Sequence, residues 1–206
     1  MLGVLGFLLL VGLVWWLVSR PKRSLSHRAS GLNVLPEQFV VFDLETTGLD
    51  PEKHEIIEIG AIRVNRDSDC HETFEVLVKP QKRITKRITE ITGITNEMVA
   101  ESMPLDQALA EFRAFIGDLP MVAFNARFDE SFLRPACASI SNPLRNDVYC
   151  ALKLARRAWP KRKSFKLSEL AKDGGLAMDA EHRALGDCRR TMIVYASAAA
   201  ETGHYR

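Results

Sequence analysis

The sequence predicts an α/β domain built on a mixed sheet with helices on both faces. Three apolar segments rich in β-branched residues come first along the chain, and helical segments then alternate with short strands. This order is typical of a sheet that helices cover on both sides. The domain spans residues 38–206, and about 170 residues are enough to bury a core of its own.

Hydrophobic patterns predict where the individual elements lie. Short apolar runs bounded by turn residues indicate strands, and apolar residues repeated every three or four positions indicate helices. The predicted strands are Phe39 to Asp43, Ile56 to Val64, Thr73 to Lys79, Met121 to Asn125 and a short one near Asp147 to Cys150. The predicted helices are Leu105 to Ile116, Phe128 to Ile140, Ala151 to Ala158, Leu167 to Lys172 and Ala184 to Ala200.

A separate apolar segment precedes the domain. Leu2 to Val18 is seventeen residues long and carries no charge, which is near the lower limit for a helix that crosses a bilayer. Trp15 and Trp16 stand at its C-terminal end, where aromatic rings favour the membrane interface. We therefore expect residues 1–19 to form a transmembrane anchor and residues 20–37, which are polar and basic, to form a linker.

The charges around this segment predict its orientation. Arg20, Lys22, Arg23 and Arg28 follow the segment, whereas only the amino terminus precedes it. The positive-inside rule then places the domain in the cytoplasm, at the inner (cytoplasmic) membrane, where the linker can touch anionic lipid. A cleavable signal peptide is the competing interpretation, but the segment has no basic n-region and no A-x-A site before Ser19.

Charge and cysteine content exclude some classes of protein. The net charge of +2 is too small to indicate nucleic-acid binding by itself. The four cysteines form no C-x-x-C pair and have no histidines at zinc spacing, so we expect free thiols rather than a zinc site.

Five residues stand in contexts that suit chemistry. In F-V-V-F-D-L-E-T-T-G-L, Asp43 and Glu45 are two positions apart in a strand, so their carboxylates project from one face. In A-F-N-A-R-F-D-E-S-F-L, Asp129 lies near the expected start of a helix. In E-H-R-A-L-G-D, His182 precedes Asp187 by five positions, about 140° around a helix, so we place His182 on the loop before the last helix and Asp187 in its first turns.

Together these motifs resemble those of the DEDDh 3′–5′ exonuclease family, which includes the proofreading epsilon subunit of bacterial DNA polymerase III. The resemblance covers roughly Gln38 to Glu201 and includes the segments Ile91 to Val99 and Phe165 to Leu170. It implies a ribonuclease-H-like fold and an exonuclease that releases nucleoside monophosphates from single-stranded ends. Single-stranded nucleic acid is the implied partner, with DNA favoured over RNA.

The resemblance also implies a two-metal mechanism. Carboxylates are the preferred ligands of Mg²⁺ and Mn²⁺, and a pair of such ions roughly 3.5 to 4 Å apart can activate water and stabilise the leaving oxygen. Asp43 would bridge the ions, Glu45 and Asp187 would hold the ion beside the attacking water, and Asp129 would support the other. His182 would be the general base, because imidazole accepts a proton near neutral pH.

Contacts with the terminal nucleotide are implied in the same way. The backbone at Thr46 and Gly48 would meet the 3′-hydroxyl, Leu49 would wedge against the terminal base, and Phe128 would pack along that base. Asn125 completes the implied substrate-binding set.

Two positions, Phe124 and Thr92, differ from the usual family pattern, which often has histidine at both. They concern substrate preference rather than catalysis, and Phe124 also fits a buried strand. Other acids, namely Glu55, Glu58, Asp106 and Glu111, stand in no such context, and we interpret them as ordinary surface charges.

Three alternatives remain open at the level of function. The chain could be an RNA-trimming exoribonuclease of the same family, or a proofreading subunit that associates with a polymerase. It could instead be a non-catalytic nucleic-acid-binding module held at the membrane. Loss of metal ligands would mark such a module, and none of the ligands is lost.

Overall fold

The structure is a computed structural model that describes residues 33–175 and 183–206. Its strands are β1 (Gln38–Thr46), β2 (Ile56–Asn65), β3 (Glu72–Leu77), β4 (Met121–Ala123) and β5 (Val148–Cys150). Its helices are α1 (Lys86–Thr92), α2 (Asn96–Val99), α3 (Leu105–Ile116), α4 (Ala126–Ser139), α5 (Ala151–Ala158), α6 (Leu167–Asp173) and α7 (Ala184–Thr202).

The five strands form one mixed sheet in the order β3-β2-β1-β4-β5. β1, β2 and β3 pair antiparallel, whereas β4 is parallel to both β1 and β5. The carboxyl ends of β1, β4 and β5 therefore meet at one edge of the sheet, called the carboxyl edge below. The predicted mixed α/β sheet is confirmed.

Alternating side chains of β1 supply both faces of the sheet with core residues. Val40, Phe42 and Leu44 pack on the face covered by α3 and α4, whereas Phe39 and Val41 pack on the face covered by α5, α6 and α7. All five side chains are buried. Helices thus cover both faces, as the order of elements predicts.

The boundaries near the site differ from prediction in two places. β1 continues to Thr46 rather than ending at Asp43, because its pairing with β2 runs on across a register shift after Glu45. α4 begins at Ala126, two residues before the predicted start, because the backbone NH of Phe128 already donates to the carbonyl of Asn125 (2.8 Å). β4 accordingly ends at Ala123.

The short helices α1 and α2 were not predicted. Each follows a threonine whose hydroxyl accepts a backbone hydrogen bond, Thr85 from Ile88 and Thr95 from Met98. α1 ends at Thr92, and its C-cap residue, Gly93, has a φ of 73° that glycine tolerates. These capping residues were the available signal, and the helices are too short to show a clear apolar period.

None of the helices within residues 33–175 and 183–206 is long and apolar enough to cross a membrane. The predicted anchor, Leu2 to Val18, lies outside the described residues, as does most of the predicted linker.

Candidate active site

β1 carries the predicted pair of carboxylates to the carboxyl edge. Asp43 and Glu45 continue the line of Phe39 and Val41, so their side chains lie on the face that α7 covers. Both are half-buried, at the point where the apolar face of the strand gives way to polar groups.

A glycine lets the start of α7 approach this part of the sheet. Gly60 pairs with Asp43 across β1 and β2. A Cβ at Gly60 would lie 2.6 Å from backbone atoms of Ala184 and Leu185, so a larger residue would displace the first turn of α7. The thiol of Cys188 also donates to the carbonyl of Gly60 (3.3 Å). This close contact brings Asp187, in the first turn of α7, to β1.

Three of the four predicted metal ligands come together. One carboxylate oxygen from each of Asp43, Glu45 and Asp187 lies within 4.8 Å of the others. Asp129 is 3% exposed in the first turn of α4 and is hydrogen-bonded to the backbone of Leu44, the residue between the two carboxylates of β1. It therefore lies beside the group of three, although it does not belong to it.

The cluster strongly disfavours ionisation in the absence of a cation. Burial, followed by repulsion from Asp129, Glu45 and Asp187, raises the pKa of Asp43 well above its usual value. Burial and repulsion from Asp187 and Glu58 raise the pKa of Glu45 to about 8, and burial raises the pKa of Asp129 to about 8. A divalent cation would offset both causes, so these oxygen ligands fit such an ion.

Arg190 orients one of the carboxylates. Its guanidinium donates to an oxygen of Asp187 at 2.5 Å, one turn along α7, and both side chains are largely buried. This contact engages one carboxylate oxygen of Asp187 and restrains its rotation.

Glu58 was predicted to be a surface charge, and this prediction is wrong. Its side chain is fully buried and accepts hydrogen bonds from Nε (2.9 Å) and Nη2 (2.5 Å) of Arg183 and from the backbone NH of Ala184 (2.9 Å). Because Arg183 is the N-cap residue of α7, Glu58 anchors the start of the helix that carries Asp187. A single acid within the apolar run I-I-E-I-G was the signal that sequence analysis missed, since a buried carboxylate requires a partner.

His182 lies outside the described residues, directly before Arg183 in the sequence. Its role as the general base remains a prediction.

The turn after β1 exposes an apolar side chain beside the carboxylates. The Thr46 hydroxyl donates to the carbonyl of Gly48 (2.6 Å), and a Cβ at Gly48 would lie 2.6 Å from the ring of His54. The turn is therefore held tightly, and Leu49 at its tip is 83% exposed. Leu49 is thus uncovered at the tip of this turn, and its role as the wedge remains a prediction.

The other predicted substrate residues lie at the start of α4, next to β1 on the carboxyl edge. Asn125 is exposed, and its side chain makes no capping hydrogen bond to α4. Phe128 is half-buried and packs on Phe132, with ring centroids 5.2 Å apart.

The two positions that depart from the family pattern have local structural contacts. Phe124 is half-buried and packs against the core beneath α5 and α7. Thr92 is buried, and its hydroxyl donates to the carbonyl of Ile88 (3.0 Å) and accepts from the NH of Ile94 (3.1 Å).

Comparison with known proteins decides the family. The exonuclease (RNase_T) family model matches residues 40–195. DNA polymerase III subunit epsilon of Aquifex aeolicus is 37% identical over 164 residues, which cover 79% of this chain and 81% of that protein. The chain belongs to the exonuclease family. It is therefore a nuclease, and its fold is ribonuclease-H-like.

Other exonuclease relatives differ in length or in identity. The PolC-type DNA polymerase III of Clostridium perfringens is 37% identical over 155 residues, but this chain spans only 11% of that protein. A solved structure described as exonuclease X in complex with 5′ overhanging duplex DNA is 28% identical, with a TM-score of 0.66, and the match covers 80% of this chain and 93% of that one. Exonuclease I, at 20% identity and a TM-score of 0.70, shares the fold.

The raised pKa values predict how the stability of the metal-free nuclease depends on pH. A carboxyl group whose pKa is higher in the folded state contributes stability below its unfolded pKa and loses that contribution as pH rises through the folded pKa. For Glu45 this window runs from about 4.5 to about 8. Thermal unfolding in EDTA should therefore show stability falling as pH rises across the window, by about 5 kcal/mol for Glu45 alone, or roughly 10 to 20 °C in Tm.

Glu45→Gln should flatten this dependence, whereas Glu111→Gln, at an exposed position of α3, should leave it as in the wild type. Adding Mg²⁺ should raise Tm more at pH 8 than at pH 6, because the cation binds ionised carboxylates. Equal pH profiles for the wild type and Glu45→Gln would contradict the assignment.

Glu58→Gln should test whether Glu58 holds the start of α7, and with it Asp187, in place. The amide keeps the shape of the side chain but removes the charge that Arg183 requires, so the free energy of unfolding should fall by about 2 kcal/mol. Displacement of Asp187 should lower kcat by roughly tenfold or more. Chemical denaturation and steady-state rates provide the two measurements.

Asp106→Asn, at an exposed position of α3, is the control and should have the wild-type stability and kcat. Glu58→Gln/Arg183→Gln should recover part of the lost stability, because the charge it leaves without this partner, that of Glu75, is exposed to solvent rather than buried. Wild-type stability and rate in Glu58→Gln would show that this side chain does not hold α7.

Proposed function

We propose that the chain is a divalent-metal-dependent 3′–5′ exonuclease that releases nucleoside monophosphates from single-stranded or frayed DNA ends. The supporting observation is the convergence of Asp43, Glu45 and Asp187 within 4.8 Å, with Asp129 beside them. The likeness to an epsilon subunit, and to an exonuclease X bound to DNA with 5′ overhangs, supports DNA as the substrate.

The four carboxylates would hold two Mg²⁺ or Mn²⁺ ions. Such ions supply an activated water and stabilise negative charge on the phosphoryl and leaving oxygens. The protein's contribution is to keep the ligands in place: the pairing of β1 with β2 positions Asp43 and Glu45, and Arg190 orients Asp187. The burial that raises the pKa values also excludes water that would screen the site.

His182 would accept the proton of the attacking water. The residue after it, Arg183, is tied to the buried Glu58, so the chain is anchored one position from the proposed base. An imidazole with a pKa near 6.5 accepts a proton efficiently at neutral pH.

The turn after β1 would select the chain end. The backbone at Thr46 and Gly48 would contact the 3′-hydroxyl, and the exposed Leu49 would insert between the terminal base and its neighbour. Phe128 and Asn125 would contact the same nucleotide from the start of α4. A wedge of this kind favours ends that are already unpaired, because separating stacked bases costs free energy.

We further propose that the nuclease is tethered to the cytoplasmic face of the inner membrane. Leu2 to Val18 is long enough and apolar enough to span a bilayer, and the basic residues that follow it favour a cytoplasmic domain. None of the proposed catalytic residues precedes Asp43, so the tether and the chemistry should be separable.

Two substitutions should distinguish the metal ligands from the base. Asp43→Asn should nearly abolish hydrolysis and weaken Mn²⁺ binding, because it removes the charge of the proposed bridging ligand. His182→Ala should lower turnover by roughly 10² to 10⁴ while Mn²⁺ binding is retained. Calorimetry of Mn²⁺ binding and gels of end-labelled oligonucleotides provide the measurements.

A 5′-labelled DNA strand should shorten one nucleotide at a time from its 3′ end, and the same strand as RNA tests the exoribonuclease alternative. Circular dichroism should show both variants folded. Hydrolysis that persists in excess EDTA would rule out the metal mechanism. A strand shortened from its 5′ end would contradict the proposed 3′–5′ polarity.

The full-length chain should fractionate with membranes and resist extraction by salt and carbonate, because a transmembrane helix is released only by detergent. The basic linker by itself could give only attachment that salt reverses. Deletion of residues 1–19 should release a soluble nuclease with wild-type rates on oligonucleotides. Recovery of the intact chain in the soluble fraction, or of a product shortened by about twenty residues outside the cytoplasm, would contradict the anchor.

A further inference from the structure

A basic groove lies along the edge strand β5, and the first turn of α4 forms one end of it. It has a volume of about 580 Å³ and runs between α4 and α5 over the edge strand β5. Its lining includes basic and aromatic side chains, namely Arg127, Lys153, Arg157, Arg206, Tyr149 and Tyr205. None of them belongs to the acidic cluster or to the proposed contacts of the terminal nucleotide.

The cations of the groove are arranged on two walls. Lys153 and Arg157 stand one turn apart on α5, and Arg127 faces the groove from the first turn of α4. Within residues 33–175 and 183–206, Arg127 and Lys153 form no ion pair. The lining acid Glu130 is already paired with Arg134 (2.6 Å), and Arg157 donates to the main-chain oxygen of Arg206 (2.7 Å), so, among the described residues, Arg127 and Lys153 are the cations of the groove that remain open to a ligand.

Two aromatic rings line the groove beside a further cation, Arg206. The rings of Tyr149 and Tyr205 meet edge to face with centroids 5.5 Å apart, and the guanidinium of Arg206 lies over both, at 5.8 and 5.1 Å. Cations interleaved with aromatic faces are the combination that binds single-stranded nucleic acid, through phosphates and stacked bases.

One end of the groove lies on the same side of the sheet as the acidic cluster. Arg127 and Cys150 line the end of the groove at the carboxyl edge, whereas Val148 and Arg134 line its other end, and the acidic cluster lies at the end of β1 on the carboxyl edge. β1 and β5 are separated by two strand spacings, about 10 Å. The first turn of α4 links the two places, with Asp129 directed to the cluster and Arg127 to the groove.

We propose that this groove binds the phosphates and bases of the substrate strand upstream of its 3′-terminal nucleotide. The inference rests on the proposed nuclease function, because it assigns the groove to the same strand that the cluster cleaves. Its consequence is that the enzyme holds a strand of several nucleotides better than a dinucleotide. A headgroup of an anionic lipid offers similar charge, but it offers no base to stack on the tyrosines.

The test uses Arg127→Ala/Lys153→Ala, which removes one cation from each wall. Binding of fluorescein-labelled dT12 should be measured by anisotropy in EDTA, so that no hydrolysis occurs, over a range of NaCl concentrations. The Kd should rise about tenfold at low salt, and the slope of log Kd against log salt should fall by about 1.4, the value for two phosphate contacts in a single strand. The ratio of kcat/KM for dT12 to that for a dinucleotide should also fall about tenfold.

The matched control is Arg145→Ala/Lys172→Ala, which removes two exposed cations outside the groove, one of them before β5 at the opposite edge. It should retain the wild-type Kd and salt slope. An equal rise in the Kd for dT12 in both double variants would show that binding depends on overall charge, and it would contradict the proposed binding site in the groove. Phosphatidylserine vesicles that displace dT12 from the wild type but bind the groove variant poorly would assign the groove to lipid instead.

Failure of this inference is distinguishable from failure of the nuclease proposal. Binding of dT12 is measured without catalysis, so a chain that binds dT12 through the groove but hydrolyses no oligonucleotide would contradict only the nuclease. A chain that hydrolyses dT12 with wild-type Kd in Arg127→Ala/Lys153→Ala would contradict only the groove.

Discussion

Mutual repulsion among carboxylates at the end of β1 is the constraint on which the rest of the site depends. Asp43, Glu45 and Asp187 lie within 4.8 Å of one another, and burial adds to the cost of ionising them. A protein keeps such groups together only if the surrounding structure holds them there or a cation stabilises them. The strained cluster is therefore informative, because it would be unfavourable in a protein that had no ion to bind.

The fold meets this constraint through contacts that lie around the cluster. Because Gly60 has no side chain, the start of α7 can approach β2 closely, and Glu58 binds the start of α7 to the same strand. Both residues are on β2, directly across from Asp43 and Glu45. β2, the strand next to β1, thus determines where the third carboxylate, Asp187, lies.

The carboxyl edge of the sheet also organises what surrounds the cluster. Parallel pairing of β1, β4 and β5 places the turn with Leu49, the start of α4 and the basic groove in one row. This arrangement suits the proposed function, in which the terminal nucleotide is separated from the strand while the groove retains the strand.

Local sequence determined much of this protein. Strand alternation predicted that Asp43 and Glu45 share a face, and the apolar periods predicted α3 and α5 at their observed bounds. Such predictions succeed because the direction of a side chain within an element depends on that element's own geometry. The family motifs likewise lie in short segments whose residues are neighbours in the chain.

Only the tertiary structure decided which elements meet. Glu58 looked like a surface charge because its partner, Arg183, lies 125 positions away in the sequence. The groove joins Arg127 to Lys153 and Arg206, residues from segments that show no common pattern. Burial and pairing of charges depend on long-range packing of helices against the sheet, and no local period encodes that packing.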